Sequence, residues 1–169
     1  MAPPRAMSLP DVQDFTVTER PEEDADGFAA WKNFGGLTIE EAYAKFSASA
    51  EVLQEDFMWM GDRAFAFYFP VLDRYVREVE AERAFDDQAW VLAHCIAAHV
   101  AQGSSEADRA ATPAGPAAHL ENQLASLCDF VLDGLGRAPE RADRSRPVHE
   151  VASAWNALRA QIALRRPPG

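Results

Sequence analysis

The sequence predicts an all-α protein, a single bundle of about six helices with no substantial sheet. Apolar residues recur at the three- and four-residue spacing of a helix through most of the chain. No alternating strand pattern runs longer than about four residues. The 169 residues, 48% hydrophobic and 25% charged, are enough to bury the core of one domain without a metal or a disulfide.

The domain boundaries follow from composition. Residues 1–27 contain four prolines and an acidic run, with few apolar side chains to offset the cost of ordering, so we expect a flexible acidic N-terminal arm. Within it, Phe15 and Val17 could dock or form a short strand. One helical domain is expected over 28–164, with a loop rich in Gly, Ser and Pro at 103–116.

The first helices are delimited by glycines and by a cap. An apolar segment over 28–34 ends at the glycine pair 35–36, which suits a helix stop. Thr38 and Glu41 have the spacing of a capping box that starts the next helix. Helical structure is then expected to continue over 51–60, with three residues in phase for burial. These are Leu53, Phe57 and Met60.

A long aromatic helix follows the break at Gly61, and Asp62 can cap it. Its apolar stripe runs over 65–79 and contains Pro70, which predicts a kink, or a break with a restart, near that residue. Three acidic residues recur every seventh position and predict a solvated acidic face if the helix is continuous. They are Asp73, Glu80 and Asp87.

Three further patterns complete the bundle. A helix capped at 86–87 runs to about Gln102 and is apolar on two faces, so we expect it to be central. The next helix spans 117–135. The last has a heptad-like seam over 148–162 and gives way to a frayed tail at 165–169.

The charge balance limits the possible partners. There are 16 Lys and Arg against 27 Asp and Glu, for a net charge of −11. This argues against nucleic-acid binding, which needs cations to displace counterions from phosphates, and against adhesion to an anionic membrane. All of the net charge lies in residues 1–87, where 19 acidic residues outnumber 8 basic ones. Such an asymmetry favours a basic protein partner.

The expected location is the cytoplasm. No uninterrupted apolar run reaches the roughly 18 residues of a membrane helix. Residues 1–10 do not have the apolar centre of a secretory signal. Cys95 and Cys128 both lie in apolar helical segments, which predicts two buried reduced thiols.

The sequence contains no recognisable catalytic or metal-binding motif. His94 and His99 are five residues apart, so on a helix they point about 140° away from each other and do not share a metal ion. Cys95 and Cys128 lie mid-helix, away from the cationic surroundings that activate a thiol. Phosphate-loop, dinucleotide-binding and nucleophile-elbow motifs are absent from the sequence. We therefore expect no catalytic residue, no metal and no cofactor, and a protein that is not an enzyme.

An aromatic cluster provides the candidate binding residues. Seven of the 17 aromatic residues fall within 57–75, and five of these have the phase of core residues. Trp59 and Phe67 lie off the main stripe, where they could anchor a partner. Acidic residues surround them in the sequence. The residues expected to bind the partner are Glu51, Glu55, Asp56, Trp59, Asp62 and Phe67.

Residues 31–70 also carry a family resemblance. It lies in the strings WKNFGGLT at 31–38, QEDFMWMG at 54–61 and AFAFYFP at 64–70. These strings resemble small acidic bacterial proteins of unassigned function, some of which act as immunity partners of secreted toxins. The resemblance covers about 40 of the 169 residues and implies no catalytic residue.

Three hypotheses follow. The leading one is a non-enzymatic acidic binding protein of the immunity type, which inhibits a basic protein toxin by covering its surface. The first alternative is a helical domain that binds a small ligand or acts as an enzyme, with a pocket near Trp59, Tyr68, His94 and His99. The second alternative is a structural protein that dimerises through its aromatic helix.

Overall fold

The computed structural model describes residues 8–16, 18, 20–102, 114–138 and 143–165, and its regular structure in these ranges is entirely helical. The predicted all-α fold is confirmed. In chain order the helices are α1 (Val12–Phe15), α2 (Ala25–Phe34), α3 (Ile39–Ala48), α4 (Ala50–Leu53), α5 (Asp56–Trp59), α6 (Asp62–Tyr75), α7 (Asp87–Gln102), α8 (Ala114–Leu135) and α9 (Val148–Arg165). A 3₁₀ turn (Pro21–Glu23) and a π-helix (Val76–Glu80) complete the described elements. Six described α-helices have ten residues or more, and the additional short turns raise the count above the predicted six.

The chain divides into two compact units, residues 1–72 and 73–169. Each unit has its own set of buried apolar side chains. The single helical domain predicted over 28–164 stays a prediction. None of the helices in the described ranges is both long and apolar enough to cross a bilayer.

The core of the first unit is a connected set of aromatic rings. The ring of Phe34 lies 5.1 Å from that of Phe57 and 5.7 Å from that of Tyr68, measured between centroids. Phe57 also contacts Phe46 at 5.4 Å, and Phe15 contacts Tyr68 at 5.9 Å. All five side chains are fully buried, so the aromatic residues that composition made conspicuous are mostly core.

Residues 11–16 pack onto this core, although composition predicted a flexible arm over 1–27. The side chain of Phe15 is fully buried, and this burial, together with hydrogen bonds to the segment from Gly61 and Arg63, offsets the cost of ordering it. Phe15 therefore docks, and it does so at the end of a helix and not in a strand. Residues 1–7 and Val17 lie outside the described residues.

Two glycines and an arginine hold this segment. The N–H of Gly61 donates a hydrogen bond to the carbonyl of Phe15 at 3.1 Å, and Arg63 donates to the carboxylate of Asp14 at 2.5 Å. A Cβ atom at Gly27 would lie 2.7 Å from the carbonyl oxygen of Phe15. The chain can approach this closely because both glycines have no side chain.

Replacing Gly61 with Ala is expected to lower the free energy of unfolding by about 1–3 kcal/mol. The new methyl group would collide with the backbone carbonyl of Asp14, which is not free to swing away as a side-chain end could. Urea denaturation measures the loss. Gly136→Ala is the control, because its Cβ would make only ordinary contacts at 3.5 Å and beyond. Equal stability of the two variants would contradict the tight docking of residues 11–16.

The predicted helix boundaries around residue 35 are confirmed. Helix α2 ends at Phe34 with Gly35 as its C-cap, and Gly36 has a φ of 77°, which glycine adopts without strain. The hydroxyl of Thr38 accepts from the N–H of Glu41, and the carboxylate of Glu41 accepts from the N–H of Thr38 at 2.8 Å. The reciprocal pair is the predicted capping box. The hydrogen bonds that the N–H and the hydroxyl of Thr38 donate to the carboxylate lower the pKa of Glu41.

Two boundaries in the next segment differ from prediction. The expected continuous helix over 51–60 is divided into α4 and α5. Gly61, not Asp62, precedes the first turn of α6, since its carbonyl accepts from the N–H of Phe65 at 2.9 Å. Of the two alternatives predicted near Pro70, the break is wrong, because α6 continues through that residue, and the kink stays a prediction. Buried neighbours of Pro70, including Phe69, offset the missing hydrogen bond.

In the second unit, α9 packs against both α7 and α8. Trp155 is fully buried there, and its indole N–H donates to the carbonyl of Ala89 at 3.0 Å. The predicted seam of α9 is buried except at Val148, which is half-buried. Of the two faces of α7 expected to be buried, the one that carries Leu92 and Ile96 is buried. The expectation is wrong for the other face, where Trp90 is half-buried and His94 is exposed. The guanidinium of Arg146 lies 3.8 Å from the ring of Trp90.

The loop predicted at 103–116 falls mainly outside the described residues, which resume at 114 with the start of α8. The helix predicted over 117–135 therefore begins three residues earlier than expected and ends where expected. Of the frayed tail predicted at 165–169, Arg165 belongs to α9 and residues 166–169 are not described.

Candidate functional site

The seven clustered aromatic residues divide into a buried group and a half-buried group, as their helical phase predicts. Five are at most 2% exposed, and they are Phe57, Phe65, Tyr68, Phe69 and Tyr75. Trp59 and Phe67, which lie off the apolar stripe, are only half-buried. These two are therefore the members of the cluster with surface that a partner could contact.

The backbone over 50–59 keeps its helical phase although it forms two separate turns. Gln54 and Glu55, which join α4 to α5, both have right-handed helical φ and ψ angles. Residues at i, i+3, i+4 and i+7 consequently share one side of the segment. Counting from Val52, this side carries Val52, Glu55, Asp56 and Trp59, which we call the Val52 face.

The Val52 face combines apolar and acidic surface. Val52 is 78% exposed, an unusual exposure for a valine, and Trp59 is half-buried. Glu55 is exposed between them, and Glu51 is exposed beside them. Phe57, which is buried, lies five residues after Val52 and so points about 140° away from it. Sequence reasoning selected the acids and Trp59 but missed Val52. Val52 could have been recognised as an apolar residue that falls outside the helical phase of its buried neighbours.

Asp56 has a structural partner as well as a place on the face. Its carboxylate accepts a hydrogen bond from the amide of Asn33 at 2.8 Å, which connects α5 to α2. The ammonium group of Lys45 donates to the carbonyl of Asn33 at 2.6 Å, so α3 also contacts Asn33. Burial raises the pKa of Asp56, and the hydrogen bond from Asn33 and the charge of Lys45 oppose that rise. Asp56 thus fixes the orientation of the face.

The remaining two predicted residues do not lie together on α6. Asp62 and Phe67 are five residues apart, so they point in directions about 140° apart. Phe67 lies on the side of Arg63, four residues earlier, and packs its ring edge-on against Tyr68 at 4.9 Å. Asp62 and Phe67 therefore point in different directions from α6, and a single patch of all six predicted residues stays a prediction.

The net charge is distributed unequally between the two units. Residues 1–72 carry 13 acidic and 5 basic residues, a net charge of −8, whereas 73–169 carry 14 and 11, a net of −3. The Val52 face therefore belongs to the more acidic unit. A potential of this sign attracts cationic groups and raises their rate of encounter at low salt.

The residues of the alternative pocket lie in different surroundings. Tyr68 is buried, and its hydroxyl lies 2.6 Å from the carbonyl of Phe34 and 2.9 Å from that of Leu37. Burial also raises the pKa of Tyr68 to about 12. On α7, His99 is buried, whereas His94 is exposed with its ring 4.2 Å from that of Trp90. A ligand site near Trp59, Tyr68, His94 and His99 stays a prediction.

A shallow groove of about 380 Å³ lies on the surface of the second unit. It contains none of the four residues of the alternative pocket. Within it, the Nε–H of Arg77 donates to Asp73 at 3.0 Å, so its charge is already paired. The lining residues are Asp73, Arg77, His119, Asn122, Gln123 and Ser126.

The two cysteines lie in the interior of the described structure. Cys95 and Cys128 are buried and are not joined by a disulfide. Burial raises the pKa of Cys128 to about 12, so its thiol is not a nucleophile at neutral pH. No cluster of three or more His, Cys, Asp or Glu side chains that could hold a metal ion occurs in the part of the chain that the structure describes.

No protein-family model, curated protein or solved structure matches this chain. The resemblance of residues 31–70 to small acidic bacterial proteins thus stays a prediction. The assignment of function rests on the surface described above.

Proposed function

We propose that this chain is a non-enzymatic binding protein of the immunity type, which acts in the bacterial cytoplasm by covering the active surface of a basic protein toxin. The observation that carries the proposal is the Val52 face. It places an exposed valine and a half-buried tryptophan beside exposed glutamates, on the more acidic unit of the chain.

The face offers the two components of a typical binding hot spot. Trp59 provides a large apolar ring for a pocket on the partner, and Val52 adds apolar area beside it. Glu51 and Glu55 are placed to pair with lysines or arginines around that pocket. Asp56 contributes mainly by holding the segment in place through Asn33.

Electrostatic attraction predicts a strong dependence on salt. Exposed charges are screened over about 10 Å at 0.1 M salt and about 3 Å at 1 M, so the rate of association should fall as salt is added. The experiment starts from the products of genes that adjoin the gene for this chain. Each product is tested for binding by calorimetry at low and high salt, and for inhibition of its activity. Binding of no basic product, or binding that salt does not weaken, would refute the proposal.

Replacing Val52 with Lys is expected to weaken partner binding at least about tenfold, which corresponds to about 1.4 kcal/mol. The lysine removes apolar contact and brings a positive charge against the cations of the partner. Because Val52 is 78% exposed, the free energy of unfolding should remain within about 0.5 kcal/mol of the unmodified chain. Calorimetry and urea denaturation measure the two quantities.

Leu164→Lys is the matched control for this variant. Leu164 is also an exposed apolar residue, at 86%, but it lies on α9 in the second unit. The control should bind the partner with unchanged affinity. Equal loss of affinity in both variants would mean that added charge, and not the Val52 face, governs binding.

A further inference from the structure

Glu80 is a buried acidic residue in a position where the sequence predicts solvent exposure. Its side chain is fully buried, and its Oε2 has no hydrogen-bond partner in the described structure. Its Oε1 lies 3.5 Å from Nη1 of Arg83, a long contact for an ion pair. The sevenfold spacing with Asp73 and Asp87 predicted a solvated acidic face. That prediction is wrong for Glu80, because the intervening π-helix changes the phase of the helix.

The backbone around Glu80 is strained. The N–H of Ala81 bonds to the carbonyl of Val76, five residues back, which defines the π-helix that ends at Glu80. The N–H of Phe85 then returns to the carbonyl of Glu80 at 2.8 Å, and the N–H of Ala84 to that of Ala81 at 3.2 Å. This pair of bonds is a Schellman cap, which normally uses glycine in the left-handed conformation. Here Ala84 and Phe85 have φ angles of 57° and 53°, so two non-glycine residues bear that strain.

Contacts from the connection before α9 hold the strained turn closed. Arg144 donates from Nη1 to the carbonyl of Ala84 at 2.9 Å and from Nη2 to that of Phe85 at 2.8 Å. The carboxylate of Asp86 accepts from the N–H groups of Ser145 and Arg146. The turn is therefore held by four hydrogen bonds that would all be lost if it opened.

A side-chain contact holds the same turn. Phe85 is buried against Gly134 of α8, where even a methyl group would collide with its ring. Its ring also meets that of Phe130 edge-on at 5.9 Å. Opening the turn would expose this apolar surface.

Few groups are available to stabilise an ionised Glu80. Arg83 attracts the carboxylate, whereas Asp86 repels it, and from α7 the backbone N–H of Ala89 faces it. The guanidinium of Arg83 also reaches the hydroxyl of Tyr75 at 3.4 Å. Burial dominates these effects and raises the pKa of Glu80 to about 7. A carboxyl group in this position changes its charge near neutral pH.

We propose that residues 76–86 form a pH-sensitive switch, in which ionisation of Glu80 loosens the π-helix and releases the left-handed turn. With Glu80 protonated, the buried carboxyl is neutral and the strained turn stays closed. With Glu80 ionised, the buried negative charge is met by a long contact to Arg83 and by the backbone N–H of Ala89, and opening the turn lets water reach it. Opening also frees Phe85 and breaks the contacts made by Arg144.

The sign of the effect follows from the two pKa values. The carboxyl group of Glu80 has a pKa of 4.5 when it is exposed to water and about 7 when the turn is closed, so the closed form binds the proton more tightly. Protection of the segment should therefore be greatest below about pH 4.5, decline between pH 4.5 and 7, and level off above pH 7. Between pH 5 and 8 the expected decline is on the order of 10- to 100-fold.

Hydrogen exchange of the full chain, followed by mass spectrometry at pH 5, 6, 7 and 8, tests the proposal. After correction for intrinsic exchange rates, peptides covering 76–86 should lose protection by the expected factor as the pH rises. In Glu80→Gln, which keeps the shape of the neutral carboxyl, protection should be independent of pH over this range. Glu82→Gln is the matched control, because Glu82 is exposed on the same segment and should leave the wild-type response intact.

Three results would overturn the switch. One is protection of 76–86 that does not change with pH in the unmodified chain. Another is a Glu80→Gln variant that follows the same pH dependence as the unmodified chain. The third is an equal loss in peptides covering 151–162 of α9, since that would be unfolding of the whole unit and not a local opening.

Discussion

Replacing Phe57 with Ala is expected to lower the free energy of unfolding by about 3–5 kcal/mol, the range for removing a buried phenylalanine. Phe57 is fully buried, and its ring meets those of Phe34 and Phe46 edge-on. The substitution therefore leaves a cavity and removes two aromatic contacts at the centre of the first unit. Urea denaturation followed by circular dichroism measures the loss.

Trp59→Ala is the informative comparison, because Trp59 lies two residues away on the same turn but is half-buried. Its substitution should cost about 1 kcal/mol in stability, while weakening binding to the proposed partner. The pair thus separates a residue that holds the unit together from one that is available for contact. A larger loss of stability for Trp59→Ala than for Phe57→Ala would reverse that assignment and remove Trp59 from the candidate site.

Replacing Trp155 with Ala is expected to lower the free energy of unfolding of the second unit by about 3–5 kcal/mol. Trp155 is fully buried on α9, which packs against α7 and α8. Its removal also deprives the carbonyl of Ala89 of its hydrogen-bond donor. Trp155→Phe keeps most of the ring but not the N–H, so an intermediate loss of about 1–3 kcal/mol is expected.

Asn156→Ala provides the control for the Trp155 variants. Asn156 is the next residue on α9 and is exposed, so its substitution should change stability by less than about 0.5 kcal/mol. Thermal and urea denaturation give the three values under identical conditions. If Trp155→Ala costs no more than Asn156→Ala, the packing of α9 described above is wrong.

Several features could be predicted from the sequence because they depend on residues within one or two helical turns. The capping box of Thr38 and Glu41 is one, since both partners lie within four positions. The division of the aromatic cluster is another. Helical phase alone distinguishes Phe57, which is buried, from Trp59, which is half-buried.

Other features depend on contacts between distant parts of the chain and could not be predicted. Phe15 docks because Gly61 and Arg63, some fifty positions later, donate hydrogen bonds to the end of its helix. Asp56 is oriented by Asn33, which is 23 positions away. Composition cannot indicate such pairs, so it predicted a flexible arm and gave no sign that Asp56 bonds to another helix.

The candidate site illustrates both kinds of information. The sequence indicated an acidic segment with an off-phase tryptophan, and four of the six expected residues lie on or beside the Val52 face. The exposure of Val52 emerged only from the structure, because it depends on how the segment 50–59 packs on the core.

By itself, the sequence determined the all-α class, the positions of the main helices and the acidic character of residues 1–87. These depend on local periodicity and on composition. Only the tertiary structure decided which charged groups face solvent and which are buried. Glu80 is the clearest case, because a single π-helical turn moves it from an expected surface row into the interior, where a carboxyl group no longer behaves as an ordinary acid.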